Sequence, residues 1–192
     1  MGRKRRSYNT RYESHTNGLG SEKDLARIWM LRILLGCDGE LRNIFKPSLD
    51  YMNTNIAEFL GLPTLGDESA DLPPAKIRKQ MEAMLARLEK RSTEDSCIAR
   101  NVAMLAAHIP LSEVQQDILK LAVIKEACEP LADCLSWTKI ISESRFHAIL
   151  GLALDVPLIR IREALAREGA LLKTGLITFE FDRIREHFSF EV

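Results

Sequence analysis

Two short strings are the first candidates for chemistry in this chain. Ser136-Trp137-Thr138-Lys139 spells S-x-x-K, and Lys173-Thr174-Gly175 spells K-T-G. Serine acyl enzymes use such elements to bring a nucleophile to its base. That chemistry needs nucleophile, base and oxyanion donors held within hydrogen-bond reach by a substantial scaffold. Here the intervening chain is long enough for two helices, and no S-D-N occurs. Each string also has a local explanation. Ser136 to Lys139 falls where a helix gives way to a first strand, and Gly175 supplies the positive φ of a tight hairpin turn. Acyl transfer is rejected.

Phosphate and metal chemistry fare no better. A P-loop needs G-x-x-x-x-G-K-[ST], whereas in "GALLKTG" the Lys and Thr precede the second glycine. "GLGSEK" opens a helix but follows no strand. Cys37, Cys97, Cys128 and Cys134 form no C-x-x-C, and His15, His108, His147 and His187 lie at no metal-ligand spacing. The acidic residues form no interpretable pair for general acid–base work. The sequence therefore predicts no catalytic, cofactor-binding or metal-ligating residue, and no enzyme activity in these residues.

The elements that would position any site are helical. Ser21 is a candidate N-cap for a first helix carrying Leu25, Ile28, Trp29 and Ile33. A second helical stretch spans about 41–60, interrupted at Pro47. After the Gly/Pro-rich loop 61–74, a third helix over 75–91 places Ile77, Met81, Met84, Leu85 and Leu88 on one side. Ser92 with Asp95 resembles a capping box for a fourth helix, stopped by Pro110. Ser112-Glu113-Val114-Gln115 is a proper S-x-x-Q box for a broad-faced fifth. A short helix then runs from Glu129-Pro130 through Leu135.

The last third reads as a β-prone stretch over Trp137–Ile141, a helix over 143–154, and another over 157–168 with Leu158, Ile161 and Leu165 inward. A two-stranded hairpin turning at Lys173-Thr174-Gly175 completes it, with Ile177, Phe179 and Phe181 alternating against Thr178 and Glu180. That order is the order of a winged helix. The expected fold is mainly α: a helical bundle followed by a winged-helix-like subdomain with a small β-hairpin. The expected organisation is a basic disordered arm over 1–20, a helical subdomain over 21–91, and the winged-helix-like part over 92–192.

Composition limits the partners. The chain is 46% hydrophobic and 28% charged, with 27 basic and 27 acidic residues, so bulk charge argues for neither nucleic acid nor membrane. No apolar run reaches a membrane span, and no secretory signal opens the chain. Buried, unpaired thiols fit a reducing cytoplasm. The charge is uneven, because Arg3, Lys4, Arg5, Arg6 and Arg11 crowd the first 20 residues.

Several stretches carry a family likeness. "ARIWMLRILLGCDGELRNIF", "PAKIRKQMEAMLARLEKR", "NVAMLAAHIPLSEVQQDILKLAVI" and "ILGLALDVPLIRIREALAREGALLKTGLITFE" resemble the region preceding the ATPase module in a group of bacterial AAA+ ATPases. The resemblance covers nearly everything after residue 20 and consists of apolar spacings. It implies a non-catalytic module that binds a protein substrate or adaptor, or regulates assembly of an attached ring motor. No Walker lysine, magnesium ligand or arginine finger has a matching position here. The expectation is either an N-terminal piece of a longer ATPase or a stand-alone relative.

Two other readings compete with that one. In a DNA-binding winged helix, Arg160 and Arg167 reach bases or phosphates, Lys173 touches the backbone from the wing tip, and the arm with Arg3, Lys4, Arg5 and Arg6 enters a minor groove. In a self-associating structural domain, an exposed face around Met81 and Met84 does the docking.

Overall fold

The computed structural model describes residues 20–37, 51–62, 74–91, 96–138, 140, 142–182 and 187–192. Nine helices and one antiparallel pair of strands occupy these residues: α1 Glu22–Gly36, α2 Tyr51–Leu60, α3 Pro74–Glu89, α4 Cys97–Ala106, α5 Glu113–Ala127, α6 Glu129–Trp137, α7 Glu143–Leu154, α8 Leu158–Ala164, α9 Ala170–Lys173, β1 Thr178–Asp182 and β2 His187–Glu191. The protein is mainly helical with a small two-stranded sheet, as the sequence predicts. The arm 1–19, including Arg3, Lys4, Arg5 and Arg6, lies outside the described residues, as do the Pro47 interruption and most of the 61–74 loop.

Helix α1 is apolar nearly all round, with Ala26, Ile28, Trp29, Met30, Leu31, Ile33 and Leu34 buried, so it runs through the core. It packs against α3, α7, α5 and α6. Gly36 permits the α7 contact: a Cβ there would lie 2.5 Å from Leu152 Cδ2. The expected Ser21 cap does not form. Ser21 has helical backbone angles and no side-chain capping bond, because the turn closes one residue earlier through Lys23 N–H donating to Gly20 O. The Glu22 carboxylate is instead buried at the start of α4, accepting a 3.3 Å bond from Ile98 N–H. There it supplies an acceptor that the helix backbone lacks. The α4 cap is likewise displaced: Ser96 accepts from Ala99 N–H at 2.9 Å, while 92–95 lie outside the described residues.

Helix α5 is the spine of the second half. Its capping box forms as predicted, Ser112 Oγ accepting from Gln115 N–H at 3.3 Å and Gln115 Oε1 from Ser112 N–H at 2.9 Å. The same Gln115 side chain donates Nε2–H to Ala164 O at the end of α8, 3.1 Å away and buried. At the far end of α5, Lys125 Nζ donates to Phe190 O and lies 5.9 Å from the Phe190 ring centroid. One helix thus fixes both α8 and β2.

Three expectations for the last third are corrected. No strand forms over the described part of 137–141, because Trp137 completes α6 and the Thr138 hydroxyl donates to Leu135 O at 2.6 Å, closing the helix end. Ala170–Lys173 is a helix rather than a strand. Gly175, at φ +70°, ends it, with Leu176 N–H bonded to Leu171 O and Gly175 N–H to Leu172 O. This pair of bonds satisfies carbonyls that a helix end otherwise leaves open. The hairpin lies one segment further on, Thr178 facing Glu191 and Phe179 facing Phe190. Phe146 of α7 packs on both of those rings, at 5.4 and 5.1 Å, so the sheet is held from one side by aromatic contacts.

The Gln115 bridge generates a stability prediction. Gln115→Glu keeps the oxygen that completes the capping box but removes the donor to Ala164 O, leaving a buried carbonyl unpaired. Urea unfolding should show a loss of about 1–3 kcal/mol, larger than that of Gln116→Glu on the more exposed side of the same turn.

Candidate interaction surface

Helices α7 and α8 are joined by three residues, Asp155–Pro157. Asp155 is left-handed at φ 55° and ends α7, with Val156 N–H bonded to Gly151 O at 3.0 Å. Pro157, at φ −56°, opens α8 with the backbone angle its ring favours. Ile161, Ala164 and Leu165 then face inward and are buried. A helix has 3.6 residues per turn, so burying positions 161, 164 and 165 turns position 159 directly outward. Ile159 is 60% exposed and Leu158, at the edge, 38%. The expected inward stripe is therefore corrected: Ile161 and Leu165 belong to it, and Leu158 does not.

The charged residues expected to make contacts are dispersed. Arg160 and Arg167 are exposed, as expected, and Arg160 Nε lies 3.6 Å from Glu163 Oε2 on the same helix. Arg167 follows α8 in a turn. Lys173 is exposed but ends α9, so it is not at the tip of the hairpin. Arg162, Arg167 and Lys173 make no ion pair among the described residues.

Other candidates are structural. Met81 is fully buried and Met84 half-buried, so α3 does not present the exposed methionine face expected for docking. Among the described residues, no three or more His, Cys, Asp or Glu side chains gather as a metal site. Cys37, Cys128 and Cys134 are buried and lie outside any disulfide among the described residues, whereas Cys97, expected to be buried, is exposed; burial pushes the Cys128 thiol above its ordinary range. Asn55, itself buried, donates to Asp133 Oδ2 at 3.5 Å, and burial raises the Asp133 carboxyl despite that bond. No helix among the described residues is long and apolar enough to cross a membrane.

A cleft of about 330 Å³ lies where α1, the end of α3 and the end of α7 meet, lined by Trp29, Arg32, Glu89, Arg91 and Asp155 among others. Arg32 donates twice to Glu89 Oε1, at 3.1 and 2.9 Å, and once to Ala153 O at 3.2 Å; its guanidinium is also 3.9 Å from Asp155 Oδ2. Arg91 pairs with Asp24 at 3.2 Å. Both cations of the cleft are thus engaged by the protein itself.

Sequence reasoning missed His147. It is buried on α7, and its Nε2 has no hydrogen-bond partner among the described residues. The nearest carboxylate oxygen, Glu143 Oε1, is 3.8 Å away. Burial lowers its pKa below the ordinary 6.5, Glu143 opposes the shift, and Arg162 on α8 adds to it. Ile159 had a faint signal: Leu158-Ile159-Arg160-Ile161 holds more apolar residues than one narrow helix face can bury.

No protein-family model, no curated protein and no solved structure matches this chain.

Two measurements follow. The unfolded chain protonates His147 near pH 6.5, whereas the folded chain resists until a lower pH. Below pH 6.5 the unfolded state therefore binds more protons, so this contribution is whole above 6.5 and is lost as pH falls through the lower folded value. His147→Phe should flatten that part of the stability–pH curve. At the turn, Asp155→Gly and Asp155→Val both remove the Arg32 contact, but the β-branched side chain is far costlier at positive φ. Val should be less stable than Gly by about 1–2 kcal/mol in thermal unfolding.

Proposed function

We propose that this chain is a non-catalytic protein-interaction module of an AAA+ ATPase, binding a protein substrate or adaptor or regulating assembly of the motor. The AAA+ setting rests on the sequence resemblance. The module's recognition part is α7, the three-residue turn, α8 and the β1–β2 hairpin, taken as a winged-helix-like arrangement with α8 in the recognition position. Among the described residues, no third strand precedes α7.

One observation carries the choice of partner: a large aliphatic side chain, Ile159, stands 60% exposed on the outward face of α8, beside the equally open Arg160 and Glu163. Direct readout of bases draws mainly on Arg, Lys, Asn and Gln, and DNA affinity draws on cations at phosphates. An exposed aliphatic side chain gains most from a protein surface that removes it from water. The equal numbers of basic and acidic residues point the same way.

The second reading, a DNA-binding winged helix, is favoured by Arg162, Arg167 and Lys173, which make no ion pair among the described residues. Fluorescence anisotropy on duplex DNA across a salt series separates the two. Weak binding with a shallow salt slope is expected. A slope of about −3 or steeper in log K against log salt overturns the protein-interaction reading in favour of DNA, because each phosphate contact contributes about −0.9.

A further inference from the structure

We propose that the Leu158–Ile159 edge of α8 docks an acidic amphipathic segment of a partner protein, an inference that rests on the protein-interaction reading and gives it a site. The apolar centre is already fixed in place. Ile161 and Ala164 anchor the inner face of α8, Gln115 holds its last carbonyl, and the Asp155–Pro157 turn fixes its start. A held apolar residue loses little freedom on binding, which favours its use as an anchor.

Charge selects the partner's sign. Arg160 and Glu163 offset one another. What remains from α8 through α9 without an ion pair among the described residues is Arg162, Arg167 and Lys173 against Glu168, three cations to one carboxylate. A basic segment would meet like charge there, and so would the same face of a second copy of this chain. Nucleic acid would satisfy the cations but leave Ile159 without a matching apolar surface. An acidic segment with aliphatic residues on one face satisfies both, as a helix laid along an exposed apolar edge does.

The test uses the whole 192-residue chain and a fluorescein-labelled helical peptide with Leu at i, i+3, i+4 and i+7 and Glu elsewhere. A Lys-for-Glu version of the peptide and a duplex DNA serve as comparison probes. Ile159→Asp is compared with Met104→Asp, a second exposed apolar position, 69% accessible on α4, and circular dichroism verifies that both variants fold. The expected result is saturable binding of the acidic peptide, weakened about tenfold or more by Ile159→Asp and unchanged by Met104→Asp, with no binding of the basic peptide. Acidic-peptide binding that survives Ile159→Asp overturns the site but leaves the protein-interaction reading standing. Equal binding of both peptides, or of neither, overturns the proposed partner chemistry. Binding of the duplex alone, with steep salt loss, overturns the inference and the underlying reading together.

Discussion

A single carboxamide, Gln115, sets the geometry of the second half of the molecule. Its oxygen completes the start of α5 and its nitrogen completes the end of α8. Both partners are backbone groups, and an unpaired backbone group in the interior is expensive. Since Lys125 holds the Phe190 carbonyl from the other end of α5, the helix determines at once where α8 ends and where β2 lies. The outward position of Ile159 is a consequence, because a seven-residue helix tethered at its last turn and packed through Ile161 and Ala164 cannot roll to hide it.

The hairpin shows the same economy. Two strands alone are marginal in water. Here the register sets Phe179 opposite Phe190, and Phe146 packs against both rings. Three aromatic rings from separate segments therefore supply what a third strand would otherwise have to supply. The arrangement explains how a small sheet persists on a helical body without being buried on both faces.

Legibility followed the range of the interactions involved. Helices α5 and α7, the S-x-x-Q box and the Phe179 alternation were readable because each depends on neighbours three or four positions away, or on alternate residues. Boundaries failed where a local competitor won. Thr138 closed α6 with its own hydroxyl, and Gly175 terminated a helix where a hairpin tip was expected. The sequence could place Arg160 and Arg167 on the surface. It could not show that Glu163 sits beside Arg160, or that Leu158 is left outside. The unpartnered nitrogen of His147 was invisible for a related reason: its surroundings come from tertiary packing.

Arg32 couples regions that are remote along the chain. Its guanidinium joins Glu89 at the end of α3 to the Ala153 carbonyl in the last turn of α7, two residues before the bend that leads into α8. Tilting the third helix therefore strains a bracket seated at the root of the outward-facing element. One planar cation thus ties the end of the third helix to the root of the exposed edge, 121 positions along the chain from its own place on α1.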